Sequence, residues 1–344
     1  MRNKIFIIVL ILLAIIIASV VSMTQSTTVM SKVQVSLTEE INKSFNGTVA
    51  FERVKIDSLN SVALHDLVVR DSEGNMAISV KELKATFTLR ALLTGNPSLA
   101  ALREIQLIEP QLHLLRSRDG RWNVETLLRD EPGQQEASLS ALITLNKGAL
   151  RLAGEGTDYI VANINGTVDC SRQPTIEFNL SGAYQNEAVS FGGTLTGKNQ
   201  LFARIKAPKI NLEALRPLFP ASSPVLIRSG QIADLTTVVR QQQGQLTYAG
   251  EAEIRQAALD INGIPVQDTN GRVTFTDQSL HFYQVSGTVA GQKAAVHGRI
   301  TLNTLEPIID LSIQASALDI GAVASAVPVT GKAEVKVHAI GAVS

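Results

Sequence analysis

The chain has 344 residues, 31 basic and 31 acidic side chains and a formal net charge of zero. Without a basic excess it lacks the electrostatic footprint of nucleic-acid or anionic-lipid binding, and 4% aromatic residues is little for base stacking. A single cysteine, Cys170, excludes an internal disulfide framework and a thiolate zinc site.

Ile5 to Met23 is a run of nineteen residues with no charge and two serines. As a helix it would be roughly 28 Å long, near the thickness of a bilayer's hydrocarbon layer. Arg2 and Lys4 precede it and the next charge is Lys32. This asymmetry predicts a cytoplasmic tip and transmembrane signal anchor over 1–31, with the bulk of the chain across the membrane. A cleaved signal peptide is the competing reading, but Val20-Val21-Ser22-Met23 is a poor cleavage exit.

Val33, Leu37, Ile41 and Phe45 recur every four residues, which predicts a short amphipathic helix leading off the membrane and ending at Asn46-Gly47. From Thr48 the period becomes two. Val49 and Phe51, Val62 and Leu64, Leu67 and Val69, Met76, Ile78 and Val80, and Leu83, Ala85, Phe87 and Leu89 each alternate with other residues. Asp71-Ser72-Glu73-Gly74-Asn75 reads as a hairpin turn. Farther on, Ile105, Leu107, Pro110, Leu112 and Leu114 lead into Asp119-Gly120-Arg121-Trp122-Asn123. Asp119, Gly120, Trp122 and Asn123 are expected to form a turn whose tryptophan covers the end of a strand pair. The domain over 32–130 would end at a linker, 131–141, rich in Glu, Gln, Pro and Gly.

A long block then occurs twice. Asn165–Ala207 reads again as Asn270–Ala315, at an offset of 105 that becomes 108 after three inserted residues. What recurs is side-chain class at alternate positions, as a repeated sheet unit requires. The expected units are 142–222 and 223–330, with a further copy begun at 331–344. Asn211 and Asp319 stand where helix N-caps are wanted, predicting short helices over Asn211–Phe219 and Asp319–Val327. A sheet edge left in the third copy would need a longer chain or a partner to cover it.

No catalytic or metal motif stands out. The five histidines, at 65, 113, 281, 297 and 338, lack ligand spacing and read as strand residues, and Cys170 reads as a buried thiol. No cofactor is expected, and the chain reads as a non-enzyme. The unusual feature is one apolar sheet face. The candidates for lining it are Val168, Phe178, Leu180, Val189, Phe191, Leu195 and Ile205 in the first copy. In the second they are Val273, Phe275, Tyr283, Val285, Val296, Ile300, Ile309, Leu311 and Ile313. A second sheet could seal this face as a sandwich; a bent sheet could leave an open lengthwise groove suited to acyl chains.

The anchor, the Asn46-Gly47-Thr48-Val49 strand start and the Ile105 to Leu128 pattern resemble the N-terminal region of AsmA-like proteins. The repeats resemble the β-groove units of the TamB branch. The resemblance implies an elongated, curved antiparallel sheet of β-groove units with few helices, anchored in the inner membrane of a two-membrane bacterium. It also implies phospholipid cargo and a role in outer-membrane assembly, with an outer-membrane protein or further groove segment as partner. TamB-type chains run much longer and carry a terminal domain that is not visible here. The competing reading is an anchored structural or adhesive β-sandwich repeat.

Overall fold

The computed structural model describes residues 42, 46–58, 60–88, 102–117, 121–127, 139–154, 157–197, 200–218, 225–261, 264–289, 291–302, 308–319 and 332–342. The expected anchor, the leading helix, the Asp119-Gly120 dipeptide and most of the linker lie outside these residues. Among the described residues no helix is long and apolar enough to cross a membrane. They form 17 strands and two short 3-10 turns. The chain divides into two compact units: unit 1 comprises 1–184 and 192–200, and unit 2 comprises 185–191 and 201–344. The division falls inside the first sequence repeat.

In unit 1, β1 (Thr48–Ala50) and β2 (Arg53–Ser58) pair with successive parts of β3 (Ser61–Arg70). The ladder continues through β4 (Met76–Phe87), β5 (Leu102–Leu115), β6 (Leu142–Gly154), β7 (Thr157–Asp169) and β8 (Thr175–Tyr184). The alternating runs 62–64 and 67–69 are one strand, and so are 76–80 and 83–87. The Asp71 turn forms as expected: its Oδ1 accepts the amides of Glu73 (3.0 Å) and Asn75 (2.8 Å). One feature departs from the expected antiparallel meander. β5 and β6 run parallel, because residues 116–141 are long enough to carry the chain back to the start of β5. Part of that crossing segment is structural: Leu127, Leu139 and Ala141 are buried in the core.

Residues facing each other across a ladder point to the same side, so register sorts the faces. One row runs Val62, Ala85, Ile105, Ile143, Val168, Phe178 across six strands, and the next runs Leu64, Leu83, Leu107, Leu145, Gly166, Leu180. Over β3 to β6 most of this face is sealed: Leu64 is 0% exposed, and Leu83 and Ile143 are 1% exposed. Phe51, Leu127, Leu139, Ala141 and Cys170 join the same buried cluster, so the expected burial of Cys170 holds.

The outer face of unit 1 is polar. Asp57 lies between Lys84 (2.9 Å) and Lys55 (3.0 Å), and these ammonium groups, Lys84 first, hold its carboxyl below its ordinary range. A depressed carboxyl stabilises the fold above the ordinary carboxylate range and loses that contribution as pH falls through its own titration. Because the Lys55 side chain is 63% exposed and that of Lys84 34% exposed, water screens the cluster and the contribution is only about a few tenths of a kcal/mol. Asp57→Asn should therefore lower the urea midpoint slightly at neutral pH, and the difference should vanish in acid.

Unit 2 is an antiparallel ladder. It contains β10 (Gln200–Asn211), β11 (Val225–Gln242), β12 (Gln245–Ile261), β13 (Ile264–Thr276), β14 (Ser279–Val289), β15 (Gln292–Thr301), β16 (Ile308–Asp319) and β17 (Lys332–Ala342). The remaining strand is β9 (Glu187–Thr196). The repeat offsets reappear as geometry. β9 and β15 begin and end 105 apart, and β10 and β16 begin and end 108 apart, which puts the three extra residues in the β15–β16 connection. The expected helix at Asn211 is a 3-10 turn over Leu212–Leu218, in which Pro217 lacks an amide donor. Asn211 Oδ1 accepts the Glu213 amide at 3.0 Å, the expected capping bond. The helix expected at Asp319–Val327 lies outside the described residues.

A repeated irregularity bends the strands. Asp66, Glu109, Lys147 and Asn163 in unit 1, and Asp234, Gln256, Asp268 and Gln284 in unit 2, all take left-handed φ between 48° and 53°. At Lys147, Asn163, Asp234, Gln256, Asp268 and Gln284 the pairing register shifts at a bulge, which kinks the strand while returning apolar residues to the same face; at Asp66 and Glu109 the register runs on unbroken. The two copies share one clamp. Asn165 Oδ1 accepts the Lys147 amide (2.9 Å) while its Nδ2 donates to the Asn163 carbonyl (2.7 Å). Asn270 does the same with the Gln256 amide (2.9 Å) and the Asp268 carbonyl (2.6 Å).

Candidate functional site: the apolar face of unit 2

The register of unit 2 gathers apolar side chains into rows. Phe275, Leu280, Ile300 and Ile309 align across β13 to β16; Val273, Phe282, Gly298 and Leu311 form the next row. Val285, Val296 and Ile313 follow, then Gly287, Ala294 and Ala315. On β17 the register partners of the β16 residues are Gly341, Ala339, Val337 and Val335. Toward β10 the rows continue through Ala252 on β12 to Leu235 and Thr237 on β11, which pair with Ala207 and Ile205. Eight strands at about 4.8 Å make this face about 33 Å wide.

Its burial differs from that of unit 1. Val273, Val285, Ala252 and Ala315 are buried, but Phe275, Phe282, Val296, Ile300, Leu311 and Ile313 are only half-buried. The described residues give this unit one helical turn, whose Leu212 packs with Ile227 and Ala257. Near one end of the face Leu246 and Tyr248 are 57% and 40% exposed. There the Phe275 ring lies 6.5 Å from that of Tyr248 and directly over Gly250, where a side chain would collide with it.

The predicted residues are therefore not all together. Val273, Phe275, Val285, Val296, Ile300, Leu311 and Ile313 share the face, Ile309 holds its register position, and Ile205 joins them through β11. Val168, Phe178 and Leu180 lie on the inner rows of unit 1, where Val168 packs against the sealed cluster. Leu195 belongs to unit 1, and Val189 (7% exposed) and Phe191 (half-buried) belong to unit 2. Tyr283 is a correction. It is 51% exposed and pairs with Arg272 on the polar face. The left-handed residue Gln284 adds one residue to β14, so Val285 keeps its predicted side while the position before the bulge is taken by Phe282. Phe282 faces Val273 as Phe178 faces Val168. Sequence alignment at a constant offset missed it, although its apolar side chain beside Tyr283 was the available signal.

The other signature residues serve the fold. Asn123 Oδ1 accepts the Leu115 amide and its Nδ2 donates to the His113 carbonyl, both at 3.0 Å, closing the end of β5. Trp122 is half-buried beneath the Arg116 guanidinium, 6.0 Å from the ring centroid. All five histidines lie in strands, and no group of metal-ligating side chains is found among the described residues.

Fold and site define a mainly β repeat protein, with one sheet face apolar and the other polar. Comparison with family models, with curated proteins and with solved structures gives no match.

Proposed function

We propose that the chain is a non-enzymatic, membrane-anchored envelope protein that holds phospholipid acyl chains against the inner face of unit 2. On this reading the bulk of the chain lies in the periplasm, and the protein serves inter-membrane lipid transport and outer-membrane assembly. The observation that carries the reading is a continuous apolar face, about 33 Å wide at about 4.8 Å per strand, that stays half-buried. One leaflet of hydrocarbon is about 15 Å thick, so the face is wide enough for an extended acyl chain. Each methylene taken from water contributes about 0.8 kcal/mol. The likeness to AsmA and TamB proteins supports the same reading.

A closed structural β-protein is the second reading, favoured by the sealed core of unit 1. Mass spectrometry on the purified full chain separates the two. Wild type should carry phospholipid, and Val296→Asp or Phe191→Asp should reduce it about tenfold with far-UV circular dichroism unchanged, since a charge costs little where water already reaches. If wild type carries no lipid, or if both variants unfold, the closed reading wins.

A further inference from the structure

The polar face of the same unit carries a second feature, independent of the groove. Register places His281, Arg299 and Asp310 in one row across β14, β15 and β16, with His297 and Ser312 paired in the row beside it. The bulge at Gln284 turns Tyr283 out among them. These side chains border a hollow of about 1020 Å³. The His281 and Tyr283 rings are stacked, 13° from parallel with centroids 6.1 Å apart, and the Tyr283 ring is half in water. The described ion pairs of this unit lie elsewhere, on Lys209, Arg228 and Arg255, and none involves Arg299.

We propose that this hollow is a saccharide-binding platform. Three features select that chemistry. An exposed flat ring suits the C–H face of a sugar, because an aromatic side chain offers apolar area while its polar edge stays wet. Arg299 only donates, and the Ser312 and Tyr283 hydroxyls both donate and accept, which matches hydroxyl groups that donate and accept at neighbouring positions. A phosphate or other compact anion fits less well, because the Asp310 carboxylate stands directly across from Arg299 and opposes a second negative charge. The left-handed Gln284 is the device that builds the platform. In a regular strand Tyr283 and Val285 would share a face; the added residue sends Tyr283 to the polar side and Val285 to the apolar side.

The test is calorimetric titration of the purified full chain with the N-acetylglucosamine tetramer, with maltotetraose and with inorganic phosphate. Saturable binding of at least one oligosaccharide is expected, weakened about tenfold or more by Tyr283→Ala and by Arg299→Ala. Tyr283→Phe, which keeps the ring, should retain most of it. Phospholipid content should be unchanged in all three variants, so loss of sugar binding is separable from loss of the groove. The proposal is overturned if neither oligosaccharide binds, if phosphate alone binds, or if Tyr283→Ala binds like wild type with its fold intact.

Discussion

Truncating Leu64 to alanine is expected to destabilise unit 1 by about 2–5 kcal/mol. Leu64 is fully buried, flanked on its row by Val54 and Leu83, and belongs to a cluster that includes Phe51 and Leu127. Residues held by pairing on several strands cannot collapse freely into the vacated space, which places the cost in the upper part of the range. The matched change on unit 2, Leu311→Ala, should cost well under half as much, because Leu311 is half-buried and leaves no closed cavity. The chain has one tryptophan, Trp122, and it lies in unit 1. Urea unfolding followed by its fluorescence therefore reports the surroundings of Trp122 in unit 1, while circular dichroism follows the whole chain. Leu64→Ala should shift the fluorescence midpoint strongly with its slope preserved; Leu311→Ala should shift it less than half as far. Equal shifts from the two truncations would mean that the face of unit 2 is as sealed as that of unit 1.

The second large effect is expected at two glycines related by the repeat. Gly166 and Gly271 have φ of 141° and 156°, a region that side chains other than glycine rarely occupy. At Gly166 a Cβ would run into the Asn179 carbonyl oxygen and come within 2.9 Å of the Leu180 Cα; at Gly271 it would meet the Val285 backbone and side chain. Alanine at either position forces strain and a backbone clash together, with an expected loss of more than about 2 kcal/mol. Gly74 is the control. Its φ is 85° with nothing near a Cβ, so Gly74→Ala carries backbone strain alone, about 1–2 kcal/mol. If Gly166→Ala and Gly74→Ala shift the unfolding midpoint equally, close strand packing at Gly166 is not what the glycine provides.

Much of this architecture was readable from the amino acids, and the failures have local causes. Period-two alternation located the strands, and matched offsets recovered β9 with β15 and β10 with β16, because side-chain class at alternate positions is fixed by which face is buried. Bulges were not readable. Lys147, Gln256 and Gln284 are ordinary polar residues whose left-handed backbone depends on neighbouring strands, so alternation read straight through Gln284 puts Tyr283 beside Val285. The parallel pairing of β5 with β6 was hidden for another reason: direction is set where the connecting segment docks, through Leu127, Leu139 and Ala141, and no periodicity encodes that. Alternation also cannot distinguish a sealed row from a half-exposed one. Val62 and Val296 look alike in sequence, and only the residues packed over them tell them apart.

The asparagine clamp has a consequence for how such a unit can diverge. Asn165 and Asn270 bind main-chain groups only, so the residues supplying those groups are free to vary: Lys147 in one copy is Gln256 in the other, and Asn163 is Asp268. The glycine that follows is constrained by backbone approach rather than by any side-chain identity. Drift can therefore rewrite most of a duplicated unit while the Asn-Gly pair, Asn165-Gly166 and Asn270-Gly271, persists at the fold line. That dipeptide, followed by alternating apolar residues, is the mark by which further copies of the unit can be sought in other chains.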